Sequence, residues 1–312
     1  MSTVIVAISG RKQSGKTTLL NFMHGHEMKR HEVIDKFTIS PEGNLVVNCM
    51  FEDDKGNAFE EMGVLDLFQD TEMFYEYASN NIWPFIKAYN FADSLKEICV
   101  NLFNVPYECV YGTDEQKNTT IQHLLWENMP GVITPSKFSE LTEAIRKPLN
   151  DVECHWTMLL DPAGPKNGFW RSAFDNDGIF VHEPGPMTAR EFMQFLGTDI
   201  MRKIYEPIWV NNCLNRIKSD SPPIAVIGDC RFVNEIEAVK NAGGKVVRLT
   251  RNISNNNHQS EKDADNYEGF DLVIDNSQMT IDESCEQLLS YLEKNSITKR
   301  IKKIGRFVTT AK

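Results

Sequence analysis

The sequence predicts an α/β protein: a parallel sheet flanked by helices, with a small antiparallel β meander inserted near the amino end. Three observations carry this. Near-continuous apolar runs, Thr3 to Ser9 (TVIVAIS) and Pro223 to Gly228 (PIAVIG), read as strands buried on both faces, as parallel strands are. Strand, helix and strand follow one another between Pro223 and Leu249, which makes a βαβ unit. Between about residues 32 and 77, short strand-like runs alternate with turn sequences.

Taken in order, Thr3 to Ser9 is the first strand, Gly10 to Thr17 a turn, and Thr17 to about Met23 a helix carrying Leu19, Leu20 and Phe22. Val33 to Ile39 and Leu45 to Phe51 read as strands of the meander, separated by the turn Ser40-Pro41-Glu42-Gly43-Asn44. From Phe51 to Glu76 there are nine acidic residues and one lysine, so the insert presents an acidic, solvated surface. Asn90 to Phe103 has helical spacing, with Leu95, Ile98, Leu102 and Phe103 on one face. Pro148 to His182 is rich in Pro, Gly, Asp and Trp and suits a second, hairpin-like insert. Thr188-Ala-Arg-Glu191 is a capping box, opening a helix that runs past Gly197 towards Tyr205. Pro207 to Ile217 is a further helix with a proline in its first turn. Phe232 to Asn241 is a helix stopped by Gly243-Gly244, Lys245 to Leu249 and Asp271 to Ile274 are strands, and Ile281 to Leu292 closes the fold as a helix. The expected organisation is a core over 1–293, inserts at about 32–77 and 148–182, and a tail over 294–312 with seven basic residues and no acidic one.

Composition narrows the function class. A chain of 312 residues with 41% hydrophobic content can bury a substantial core as one large domain with inserts. It holds no apolar run of about 18 residues, so no membrane-spanning helix is expected. Met1 to Ser9 has no basic start and no small-residue cleavage site, and reads as a strand of a cytoplasmic protein, not a signal peptide. Seven cysteines, with no C-x-x-C pair, read as reduced thiols. His24, His26 and His31 lack cysteines at zinc-ligand spacing. A net charge of -11 argues against nucleic acid as the partner and for a small molecule. The basic tail leaves two readings open, a nucleic-acid contact and a solvated or dimer-packing segment.

Gly10-Arg-Lys-Gln-Ser-Gly-Lys-Thr17 matches the phosphate-loop pattern G-x-x-x-x-G-K-[ST] at every fixed position. Glycines let the backbone curl with its N–H groups inward, forming an anion-binding nest, and the helix that follows adds the positive end of its dipole. Gly10, Gln13, Ser14, Gly15, Lys16, Thr17 and Thr18 would cradle the triphosphate of ATP. Lys16 would bridge the β- and γ-phosphates and the Thr17 hydroxyl would bind Mg²⁺. The loop follows a strand and opens a helix, as the P-loop fold requires. The guanine-specifying N-K-x-D is absent, since Glu261-Lys-Asp-Ala264 lacks the asparagine. Chain length and the placing of arginines favour a kinase of small acceptors.

Other candidates follow from strand ends. Asp229 comes at the end of the strand from Ile224, where ligands bind in parallel sheets. It would hold Mg²⁺ through water or cap the next helix, and Arg231 would grip a phosphate or face solvent. Asp93 and Lys96 open a helix; the aspartate either caps it or, with the lysine, holds the acceptor. Arg190 and Arg202 flank the capped helix and face either phosphates or water. Arg248 and Arg251 bracket a strand end, and Arg251 would stack on adenine or reach the transferred phosphoryl. His258, Ser260 and Glu261 suit a polar lid, and Trp209 reads as core.

Seven segments in series resemble the T-even-type deoxynucleoside monophosphate kinases of tailed bacteriophages. They are Ser9 to Thr18, Phe91 to Lys96, Arg190 to Asp199, Ile208 to Val210, Asp229 to Glu235, Gly244 to Arg251 and Phe270 to Asn276. The resemblance implies a P-loop fold like that of nucleoside monophosphate kinases, ATP with Mg²⁺ as donor, deoxynucleoside monophosphate acceptors and a homodimer in the cytoplasm of an infected bacterium. Read from the loop and the strand ends, Lys16, Arg231 and Arg251 are the expected catalytic residues. Asp93, Lys96, Arg190, Arg202 and Arg231 would bind acceptor, and Thr17 and Asp229 the metal. The alternatives are a related kinase acting on hydroxymethylated bases in DNA and a non-catalytic nucleotide-binding accessory protein.

Overall fold

The computed structural model describes residues 3–52, 58–69, 71–146, 170–171, 180–251 and 264–301. In chain order the first elements are β1 (Val4–Gly10), α1 (Lys16–Arg30), β2 (Phe37–Ile39), β3 (Leu45–Glu52), β4 (Ala58–Val64), α2 (Glu72–Asn81), β5 (Ile86–Tyr89) and α3 (Asp93–Asn101). Next come α4 (Tyr107–Tyr111), α5 (Asp114–Lys117), β6 (Thr120–Leu125), β7 (Val132–Ile133), α6 (Pro135–Arg146), β8 (Trp170–Arg171), β9 (Phe180–Val181), β10 (Pro186–Thr188) and α7 (Ala189–Gln194). A π-helical stretch, Phe195–Met201, leads to α8 (Arg202–Ile204). The chain ends with α9 (Ile208–Asp220), β11 (Ile224–Cys230), α10 (Val233–Asn241), β12 (Lys245–Leu249), β13 (Leu272–Ile274) and α11 (Ile281–Lys294). Two compact units result, one of Met1–Ser94 with Pro207–Lys312 and one of Leu95–Glu206. The insert expected over 148–182 falls largely outside the described residues.

The first unit is built on a five-stranded sheet of order β13-β12-β1-β11-β5, with every pair parallel. The βαβ pair read from the sequence, β11 and β12, does not sit side by side, because β1 lies between them. Val6 of β1 faces Val226 on one side and Lys245 on the other. Buried on both faces, β1 has no exposure from Val6 to Ile8, which explains its unbroken apolar run. The register ends with Ser9 beside Cys230 and Gly10 beside Leu249, so three strands release their carboxyl ends at one place. The edge strand β5 has four residues, of which only Ile86 and Tyr89 are fully buried, a pattern too short to mark a strand in the sequence.

Helix α1 starts at Lys16 and runs to Arg30, a turn or more beyond the expected end near Met23. His24, His26 and Glu27 interrupt its apolar spacing, yet all three are buried. Tertiary packing on several sides overrides the pattern. On one side lies the antiparallel sheet β2-β3-β4. Phe37 approaches so closely that a Cβ on Gly25 would lie 2.4 Å from its ring. Gly25→Val is therefore expected to cost about 1–3 kcal/mol by overpacking, read as a lower urea midpoint with the slope unchanged. An unshifted midpoint would refute the close approach. Residues 72–77, expected inside the meander, instead belong to α2, which runs on to Asn81. Thr71 accepts from the Phe74 N–H at its start, and Phe74 and Ala78 join the core.

His24 is fully buried, and its Nδ1–H donates to the Leu20 carbonyl at 2.8 Å. Burial pushes the imidazole down to about 4, against the opposing pull of that hydrogen bond and of Glu27. In the unfolded chain the ring titrates near 6.5. Its contribution is complete above pH 6.5 and lost as pH falls through 4, an effect of roughly 3 kcal/mol. Urea denaturation at pH 7 and pH 4.5 should show this loss, and His24→Leu should flatten the pH slope between them.

The second unit has its own core of Cys99, Val110, Trp126, Met187, Phe192 and neighbours. Strands β6 and β10 pair antiparallel, and β7-β9-β8 form a small mixed sheet. Leu95, Ile98 and Phe103 pack on this core as their shared face predicts, but Leu102 stays exposed. The reason is that α3 stops at Asn101 and the chain turns through Asn104 at φ 51°. The capping box at Thr188 forms as read: its hydroxyl oxygen accepts from the Glu191 N–H, and Glu191 accepts from the Thr188 N–H at 2.8 Å. The helix it opens continues through the π stretch to Ile204. No helix among the described residues is long and apolar enough to cross a membrane.

Candidate active site

The glycine-rich loop between β1 and α1 departs from ordinary backbone at two places. Gln13 has φ 62° and Gly15 φ 100°, both left-handed. For glutamine this is an uncommon conformation, sustained only where the surroundings demand it. A Cβ on Gly10 would lie 2.4 Å from the Ser14 hydroxyl oxygen, so that close approach needs glycine. Ser14 is buried, and its hydroxyl has no partner among the described residues. Lys16 is only 8% exposed, and its ammonium donates to the Gly10 and Arg11 carbonyls at 2.7 Å each. Thr17 is exposed and Thr18 half-buried in the first turn of α1.

Asn276, two residues past β13, ties the loop to the end of β12. Its side-chain amide donates to the Ser14 carbonyl at 2.7 Å and accepts from the Arg251 N–H at 3.1 Å. Beside it opens a cavity of about 150 Å³ walled by Gln13, Gly15 and Thr18, the turn residues Pro41 and Glu42, Arg251, and Met279 and Ile281 at the start of α11. Arg248, the other arginine of this strand end, is buried. It donates to the Ser9 hydroxyl at 3.1 Å and to Asp265 at 2.6 Å, and Arg11 of the loop grips the same carboxylate.

Asp229 lies within β11, not beyond it, and Phe232 rather than Asp229 precedes α10. Its two carboxylate oxygens accept from the Phe91 N–H at 2.8 Å and the Ala92 N–H at 3.1 Å, pinning the segment that enters α3. Asp93 accepts from the Asn90 N–H at 2.8 Å and faces Arg216 at 3.5 Å. The Arg231 N–H donates to Glu235 at 2.8 Å. Charges converge on the buried Cys230 thiol. Burial first, then Glu235 and Asp229, push it well above the ordinary thiol range, with Arg248 and Lys16 opposing. Lys16, Arg248, Asp229 and Glu235 are thus brought together at the carboxyl end of the sheet.

In the second unit, Lys96 lies over the Tyr111 ring at 4.8 Å, and Arg190 donates to Asp114 at 2.6 Å. Arg202 opens α8 half-buried. Trp209 is buried in α9, as a core residue would be. His258, Ser260 and Glu261 lie outside the described residues.

The family model described as deoxynucleotide monophosphate kinase matches residues 134–289, half of the chain. The chain belongs to the deoxynucleotide monophosphate kinase family. A relative from Acanthamoeba polyphaga mimivirus, named "Putative deoxynucleotide monophosphate kinase", is 26% identical over 211 residues, which are 66% of this chain and 83% of that protein. Membership makes the chain a kinase, a phosphotransferase. Within the stretch matched to the family lie Arg190, Arg202, Asp229, Arg231, Arg248 and Arg251; the glycine-rich loop, Asp93 and Lys96 precede it.

Sequence reasoning missed Asn276 and the pairing of Asp265 with Arg248 and Arg11. Asn276 left a faint signal, an asparagine just past the carboxyl end of a strand, where parallel sheets bind ligands. Asp265 left none, because its partners are 254 and 17 residues away.

Proposed function

We propose that the protein transfers the terminal phosphoryl group of ATP to a deoxynucleoside 5′-monophosphate, giving ADP and the deoxynucleoside diphosphate. One observation carries the reading: in a chain of this kinase family, a left-handed loop with an inward lysine lies where β1, β11 and β12 release their carboxyl ends. The loop suits a polyphosphate. It has a buried hydroxyl with no partner among the described residues and an ammonium held only a hydrogen bond away from the loop carbonyls. Helix α1 begins there, adding the positive end of its dipole. The donor set also suits Mg²⁺, a hard cation that takes oxygen ligands: Thr17 offers an exposed hydroxyl and Asp229 a carboxylate, the latter through water. When bound, that ion would neutralise phosphate charge.

The chain's own residues do the rest. Lys16 leaves the Gly10 and Arg11 carbonyls for the phosphate oxygens, and the amides of Gln13, Ser14 and Gly15 with the Thr18 hydroxyl hold the triphosphate. Arg231 and Arg251 stabilise the charge on the group in transit. An acceptor phosphate oxygen forms a bond to the γ-phosphorus as the bond to the bridging oxygen breaks. The acceptor is largely ionised at pH 7, so positioning and electrostatics suffice without a strong base. Asp93, Lys96, Arg190 and Arg202 are assigned to acceptor binding, each tested by its effect on the acceptor KM. A screen with labelled ATP across deoxynucleoside and ribonucleoside monophosphates and hydroxymethylated duplex DNA tests the whole. The expected result is ADP formation with one or more free deoxynucleoside monophosphates. Turnover on duplex DNA alone, or ATP binding without acceptor-dependent turnover, would overturn it.

A further inference from the structure

The inserted antiparallel sheet reaches the candidate donor site at one point. Its β2–β3 turn closes with the Gly43 N–H donating to Ser40 O at 2.8 Å and the Ser40 N–H to Asn44 O at 2.9 Å. Two contacts seat this turn on the first turns of α1. The buried Asn21 amide donates to Gly43 O at 2.9 Å. Gly43, at φ +88°, comes so near that a Cβ there would lie 2.3 Å from the Thr18 hydroxyl oxygen. Pro41 and Glu42 are thereby fixed as a wall of the cavity that continues from Gln13, Gly15 and Thr18. Met279, Ile281 and Arg251 line the same cavity, and this set is suited to a base. A nucleotide whose phosphates occupy the loop and whose base enters this cavity brings its sugar near the turn that touches Thr18.

We propose that Glu42 is a specificity-determining residue that accepts a hydrogen bond from the ribose 2′-hydroxyl of the phosphoryl donor. The inference rests on the donor-site reading above and deepens it. A carboxylate offers only acceptors, and the hydrogen-bond donors a nucleoside can present are its sugar hydroxyls and the amino or imino groups of its base. The Ser40 side chain and the Glu42 backbone amide hold the Glu42 carboxyl below its usual range, so it is ionised at neutral pH. The selectivity has a purpose in a kinase whose acceptors and products are deoxynucleotides. A donor pocket that requires the 2′-hydroxyl admits ATP and rejects the deoxynucleotides that the same enzyme binds and releases. A site built to bond a hydroxyl discriminates strongly against the analogue that lacks it.

The test compares ATP, dATP and inosine triphosphate, which lacks the adenine amine, by direct binding and by turnover with one fixed acceptor. Wild type, Glu42→Ala and Glu42→Gln are measured, with Lys16→Ala as the control for the donor site itself. Glu42→Ala should weaken ATP about tenfold and leave dATP unchanged, so the ATP to dATP preference falls about tenfold. Gly43→Ala, which displaces the turn, should lower the same ratio with Glu42 intact. An unchanged ATP to dATP ratio in Glu42→Ala overturns the inference, as does a change confined to ATP against inosine triphosphate, which would mean that the base is read instead. If Lys16→Ala also keeps full ATP affinity, the donor-site reading has failed. If Lys16→Ala loses it while Glu42→Ala is silent, only the role of Glu42 has failed.

Discussion

Lys16→Ala is expected to lose at least about 100-fold in kcat/KM for ADP formation while the protein stays folded, on the scale of removing one preorganised charge-stabilising donor. The residue is 8% exposed, and its ammonium donates to two carbonyls of its own loop. A buried ammonium beside the loop gains from an incoming polyphosphate, and the gain grows as charge develops on the group being transferred. Truncation leaves the Gly10 and Arg11 carbonyls without this partner, a cost of about 1–3 kcal/mol that the fold should tolerate. The measurement is steady-state ADP production beside a urea denaturation curve. Lys16→Arg separates charge from shape, since a guanidinium keeps the charge but not the compact ammonium. Wild-type turnover in a folded Lys16→Ala protein would remove the loop from the chemistry.

Glu27→Ala is expected to cost about 3 kcal/mol of stability, the scale of breaking a buried ion pair from one side. Glu27 is 2% exposed in the last turns of α1. Its carboxylate accepts from Arg30 at 2.8 Å and 2.6 Å, from the Thr298 hydroxyl, and lies 3.3 Å from His26 Nδ1. Burial alone would push this carboxyl up, but the hydrogen bonds from His26, Arg30 and Thr298 outweigh it and hold it down to about 2. The sign follows from that depression. The stabilisation is complete above the unfolded value near 4.5 and is lost as pH falls through 2. Glu27→Ala should therefore lower the urea midpoint at pH 7 and reduce the acid sensitivity below pH 4.5. Thr298→Val, which removes one donor while keeping volume, should cost about 1 kcal/mol and tests whether the segment after α11 is tied to α1. Equal midpoints for Glu27→Ala and wild type would mean that Arg30 snorkels to water and the cluster is worth nothing.

Much of the candidate site was legible because it is contiguous. Eight residues, Gly10 to Thr17, carry the turn, the lysine and the helix start in one stretch, and the strand before them announces itself by burial on both faces. The capping box at Thr188 is legible for the same reason, since its two partners are three residues apart. Helix ends were less legible. Burial of His24, His26 and Glu27 on several sides of α1 hides the spacing that would have extended it, and Asn104 ends the run that places Leu102 outside.

By itself the sequence determined the parallel-sheet class, the loop with Lys16 at its centre and the strands whose ends frame it. Only the tertiary structure decided that β1 separates β11 from β12, that Asn276 clasps Ser14, and that Asp229 holds amides 138 and 137 residues away. Local patterns are written by hydrogen bonds and apolar faces within a few residues. The partner of a buried carboxylate or amide depends instead on which strands become neighbours, a choice made by packing the whole sheet at once.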